Sequence, residues 1–282
     1  MPVPTMGAQR ASRQRSLRLT VVMILAAAFA VSGIAVQPAT VQAGGRKVVI
    51  VVGPAGSATS KYINTARGLA AQARSYGATV YEVYSPNATW AKVRSVAQGA
   101  SVFIYLGHGN GYPSSYSAFS KYSKDGLGLN TTAGSTRHTY YGEYYVARDL
   151  NFAPGAVVIL NHLCYASGNN EWGAGTPTKS TAIKRVDNYG AGFLRANARA
   201  VFAEGIDSAS YILAGLFQTN QSISDIFWSD PAHDGRYDFS FASVRTSGRR
   251  AIMDPLGPNR YYRSVIGDLS MSAVTFRAAG AP

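Results

Sequence analysis

Apolar residues occur along this chain in short runs of two kinds. The segments Lys47–Val52, 100–106, 156–160 and 199–203 are almost continuously apolar and rich in Val, Ile and Ala. Runs of that length and composition predict strands buried on both faces. Thr79–Tyr84 adds a fifth strand, rich in β-branched and aromatic residues. Between the runs the spacing changes to the helical period. Ile63, Ala66, Leu69, Ala70 and Ala73 lie on one face of a helix over 61–76, with Ser60 as its cap and Gly77 as its stop. Thr89 caps a short helix over 90–98, ended by Gly99. Further helices are expected over 141–150, 181–198, with a bend at Gly190 and Gly192, and 208–219.

The order strand, helix, strand, helix, strand implies parallel pairing with crossovers, and so a sheet covered by helices on both faces. Residues 110–140 show no period and are rich in Gly, Ser, Tyr and Thr, which predicts a long loop, functional or mobile. After Ser222 the pattern weakens. The aromatic stretch 237–241 and a final strand over 271–276 are expected to pack onto the sheet as a C-terminal extension, 222–282.

The N-terminus changes the picture of location. Arg10, Arg13, Arg15 and Arg18 precede a mostly apolar segment, 19–36, and Val41-Gln42-Ala43 has the form of a cleavage site. Residues 1–43 are therefore expected to be a secretory signal peptide, and 44–282 a single exported domain with no membrane span once the signal is removed; the competing reading is an uncleaved anchor over 19–36. Losing those four arginines takes the formal charge from +13 to +9. A charge of that sign favours an anionic cell-envelope surface as partner. The basic residues are scattered rather than gathered into a stripe, which argues against nucleic acid.

The chain has one cysteine, Cys164, so an exported form can make no internal disulfide. Cys164 ends the fourth core run, and His108 ends the third within Gly107-His108-Gly109. In open parallel sheets ligands sit beyond the carboxyl ends of the strands. If the two strands are neighbours, a base and a reactive thiol share one rim, and the imidazole can activate the thiol. Gly109 admits a substrate close to the backbone, and its N–H with that of Cys164 could receive an oxyanion.

Phe103-Ile104-Tyr105-Leu106-Gly107-His108-Gly109, followed 56 residues after the histidine by Cys164 and its loop Tyr165-Ala166-Ser167-Gly168, resembles the caspase–gingipain–legumain group of cysteine peptidases. The resemblance spans roughly residues 47–205. It implies a three-layer caspase-like α/β fold with a mainly parallel central sheet. It also implies His108 as catalytic acid or base, Cys164 as nucleophile, Gly109 at the oxyanion site, a protein or peptide substrate, and no cofactor. His162 and Leu163 stand where the group often has an acidic residue or Gln followed by a small residue, and the caspase Gln-Ala-Cys-Arg-Gly sequence is absent.

Glu204 and Asp207 follow the fifth strand and are expected on the same rim, where they would favour a basic substrate side chain; helix capping is the other reading of Asp207. Asn161 and Glu171 are candidates for orienting a histidine. His162 and Cys164, two residues apart on a strand, could join His108 as metal ligands, but no CxxC or HExxH motif supports a metal. His138 and His233 are expected to be solvated. A Gly-x-Ser-x-Gly elbow is missing, as are the glycine-rich phosphate patterns after the first strand. The alternative to a secreted peptidase is a catalytically silent domain of the same fold that binds an envelope polymer or protein.

Overall fold

A computed structural model describes residues 45–171 and 173–279. The expected signal peptide, 1–43, lies outside the described residues. In chain order the strands are β1 (Lys47–Val52), β2 (Thr79–Tyr84), β3 (Val102–Leu106), β4 (Leu127–Asn130), β5 (His138–Tyr141), β6 (Val157–Asn161), β7 (Ala200–Glu204), β8 (Phe239–Ala242), β9 (Arg250–Met253) and β10 (Arg263–Gly267). The helices are α1 (Thr59–Ser75), α2 (Trp90–Ala97), α3 (Glu143–Asp149), α4 (Lys179–Arg195), α5 (Ser210–Gln218), α6 (Ile223–Trp228) and α7 (Ala273–Ala278).

Eight strands form one sheet in the order β2-β1-β3-β6-β7-β10-β9-β8. The first five are parallel. The last three pair antiparallel. The continuous apolar runs follow from burial on both sides. Val48, Ile50 and Val52 of β1 pack in a core with α1, α5, α6 and α7, whereas Val49 and Val51 pack in a second core with α2, α3 and α4. Fully burying each such side chain stabilises by about 1.5–3 kcal/mol relative to exposure. The fold is thus the expected three-layer α/β arrangement with a mainly parallel sheet.

Local signals set the helix ends. Gly77, at φ +81°, follows α1, and the Ala78 and Gly77 N–H groups bond back to the Ala73 and Arg74 carbonyls in a Schellman motif. The Thr89 hydroxyl accepts the Lys92 N–H at the start of α2, and the Thr178 hydroxyl does the same for Thr181 at the start of α4. α4 runs as one helix through Gly190 and Gly192, and at Gly190 it makes a close contact with the sheet. A Cβ on Gly190 would lie 2.5 Å from Ile266 of β10, so the glycine lets the helix sit directly on the sheet.

Two expectations are overturned. The segment 110–140 is not structureless: β4 and β5 form an antiparallel hairpin in which Leu127 and Leu129 are buried. Asn130 anchors it, accepting the Ala88 N–H and donating to Ser85 and the Ser135 carbonyl. The tail does not end in a strand over 271–276 either. Ser272 caps the helix α7 there, and β8, β9 and β10 extend the main sheet itself. Among the described residues no helix is long and apolar enough to cross a membrane.

Candidate functional site

β3 and β6 are adjacent and parallel, with Leu106 opposite Asn161. The segments that follow them therefore leave the sheet at the same rim. Beneath that rim lies Tyr105, fully buried on β3. Its hydroxyl accepts the Gly128 N–H at 3.0 Å and donates to the Gly128 carbonyl at 2.7 Å, with the His108 carbonyl 3.1 Å away. One phenol thus ties the hairpin to the turn that carries His108. A Cβ on Gly128 would come within 3.2 Å of the His108 Cβ, so hairpin and histidine are in direct contact.

The next residue brings in the cysteine. A Cβ on Gly109 would lie 2.1 Å from the Cys164 carbonyl oxygen and 2.9 Å from the Tyr189 hydroxyl. Only a residue without a Cβ fits there. Gly111 is held in the same way against Tyr165. The segments carrying His108 and Cys164 are therefore packed backbone to backbone. Close packing of the two loops is what demands glycine at 109.

The chemistry around the thiol is mixed. His108 and Cys164 are both half-buried. Burial lowers the His108 pKa, the neighbouring His138 lowers it further, and Glu171 opposes both. Burial also raises the Tyr62 phenol on α1, and Cys164 adds to the shift. Tyr140 of β5 is pushed up to about 12 by burial, then by Glu171 and Cys164. Glu171 accepts the Tyr165 hydroxyl at 2.7 Å. Around the thiol the rim thus gathers an imidazole held toward its neutral form, the Glu171 carboxyl group and the phenols of Tyr62, Tyr140 and Tyr165.

No family model, curated protein or solved structure matches this chain.

The remaining sequence candidates fall differently. Glu204 is not on the rim surface. It is fully buried and ion-paired through Oε2 to Arg263 Nε at 3.3 Å, and Tyr211 donates to its other oxygen. Burial pushes Glu204 up to about 8 against the pull of Arg263. Arg263 is itself fully buried and also pairs with Asp230 and Asp254. Glu204 is thus buried as a structural partner of Arg263 on β10 rather than exposed on the rim. Asp207 stays half-buried at the strand end, raised by burial and then by Asp230.

Asn161 does not orient His108. Its amide donates to the Glu204 carbonyl at 3.1 Å and the Asp207 carbonyl at 2.8 Å, bracing β6 against the loop after β7. The strand ends before His162, which turns at φ +61°, and its ring stacks on Tyr62 at 5.3 Å. His162 and Cys164 therefore do not continue one strand face. Among the described residues the one group with metal-ligand spacing is Glu204, Asp207 and Asp230, two of which Arg263 already engages.

Sequence reasoning missed the hairpin's contribution. His138 is exposed, but one side of its ring meets His108 at 4.9 Å between centroids and its neighbour Tyr140 also lies at 4.9 Å. The alternation of His138 and Tyr140 on β5 was the available signal, since residues i and i+2 share a face.

Proposed function

We propose that this protein is a secreted cysteine peptidase of the caspase-like kind, acting through Cys164 and His108. One observation supports the reading above others: Gly109, directly after His108, lies against the Cys164 carbonyl at the carboxyl ends of adjacent parallel strands. Neutral His108 takes the Cys164 thiol proton, the sulfur adds to the carbonyl carbon of a peptide bond, and the charge passes to the carbonyl oxygen. The N–H groups of Gly109 and Cys164 receive that oxyanion. Collapse breaks the C–N bond while protonated His108 gives its proton to the leaving nitrogen. A water that loses a proton to His108 then adds to the thioester and releases the acid and the thiol. Neither step draws on a cofactor. Asp207 and Glu171 are the carboxylates left near the rim to favour a basic side chain in the substrate; Glu204 has no part in it.

Incubating a mixed-sequence peptide library with the exported protein tests this reading. New N-termini are expected, and their rate of appearance falls by about 10³-fold or more in Cys164→Ser and in His108→Ala. A library left intact by the wild type contradicts it.

The second reading, a silent domain that binds an anionic envelope polymer, has its own support. A cleft of about 340 Å³ is lined by Lys121, Glu143, Tyr144, Ala147, Arg148 and Arg195. Lys121 lies over the Tyr122 and Tyr144 rings, and Arg148 over Tyr144. Binding there would persist in Cys164→Ser and weaken in Lys121→Glu.

A further inference from the structure

The hairpin β4–β5 places a second imidazole on the first. The His138 and His108 rings are 4.9 Å apart between centroids and tilted by 39°. The contact is held from several directions. Tyr140 flanks His138 edge-on at 4.9 Å, and Gly128, opposite Tyr140 in the hairpin, lies against the His108 Cβ. Tyr105 fastens Gly128 beside the His108 carbonyl. His138 keeps an exposed side, so its ring can exchange protons with solvent.

We propose that His138 is a positioning residue for His108, and that the two rings form one unit holding at most one proton at neutral and mildly acidic pH. This rests on the peptidase reading only for its consequence, the supply of a neutral His108 beside Cys164. Two imidazolium rings at this distance repel each other. The other titratable groups around His108 are Tyr140 on the hairpin, Cys164 and Glu171 on the segment after β6, Tyr105 on β3 and Tyr62 on α1. Of these only Glu171 is an acid that pulls toward the protonated ring, and Tyr165 shares it. The direction found for His108, downward through burial and then His138, agrees with the geometry. The hairpin therefore does more than wall the rim. It keeps the base ready to take a proton at a pH where an ordinary histidine would be half charged.

Proton NMR titration of the imidazole Cε1–H signals in the full protein tests the pair without reference to activity. The two resonances are assigned with His108→Phe and His138→Phe, each of which keeps a flat ring and removes the charge. In His138→Phe the midpoint of His108 is expected to rise by about 1 pH unit, the order expected for unit charges some 5 Å apart near a protein surface. In His108→Phe the midpoint of His138 should move much less, because His108 is the ring that loses its proton first and is already neutral where His138 titrates. If His138→Phe does not fold, His138→Gln makes the same test. An unchanged His108 midpoint in His138→Phe would overturn the proposal, since a merely structural ring is replaced by phenylalanine without moving a titration. The pH profile of Cys164 alkylation, run on the same variants, separates this outcome from failure of the peptidase reading. A thiol inert in every variant, beside imidazoles that still titrate as a pair, ends the peptidase and leaves the pair standing.

Discussion

At the scale of single residues, the rim depends on atoms that are missing. Gly109→Ala sets a methyl group 2.1 Å from the Cys164 carbonyl, so the His108 and Cys164 loops must part. The variant is expected to lose about 1–3 kcal/mol of stability and to slow Cys164 labelling; denaturant unfolding and alkylation read the two effects. Tyr105→Phe removes a buried hydroxyl and leaves the Gly128 N–H and carbonyl without it. A loss of about 1–3 kcal/mol is expected. His108 and Cys164 were legible in the sequence because each ends an apolar run, and parallel neighbours bring such ends together. Glu204 ends a run as well, but its partner Arg263 lies 59 residues away. Strand position alone says nothing about which side chain turns inward to a distant cation.

At the scale of elements, legibility followed the length and composition of each run: half-exposed β2 read as well as the buried strands, whereas buried β10 did not. β1, β3, β6 and β7 are buried along their length and read as continuous runs. The hairpin escaped notice because each of its strands has four residues, with a glycine inside β4 and mostly exposed polar residues in the loop between. β10 escaped because it begins with an arginine, a residue that is almost never fully buried unless paired. Here three carboxylates, from Glu204, Asp230 and Asp254, supply the pairing. Arg263→Met is expected to cost about 3–5 kcal/mol or to prevent folding, since it strands those acids inside; chemical denaturation measures it. The ion cluster sits where β10 joins β7, at the junction of the parallel and antiparallel parts of the sheet.

At the scale of the whole molecule, stability should carry the mark of buried acids. Burial pushes Asp125 up to about 7, although the Tyr112 N–H it accepts works the other way. The unfolded carboxyl titrates near about 4. Between those values the folded chain holds a proton that the unfolded chain releases. The contribution of Asp125 is therefore complete below about pH 4 and is lost as pH rises toward 7. In Asp125→Asn that loss should vanish, so the difference in unfolding free energy between variant and wild type should grow in the variant's favour from pH 4 to pH 7. Equal slopes would contradict the burial of a raised carboxyl. The overall architecture itself was legible, since alternating runs and helical stretches admit few topologies besides a covered parallel sheet.

The central claim is that Cys164 and His108 act on each other. The rate of iodoacetamide alkylation of Cys164 against pH, in the folded wild type and in His108→Ala, tests it most directly. An ordinary thiol labels slowly until the pH nears about 8.5. The account predicts that the folded wild type labels faster than His108→Ala at pH values below about 8.5, where the neutral His108 ring can take the thiol proton. Labelling that is slow in both until the protein unfolds, and indifferent to His108, would contradict it.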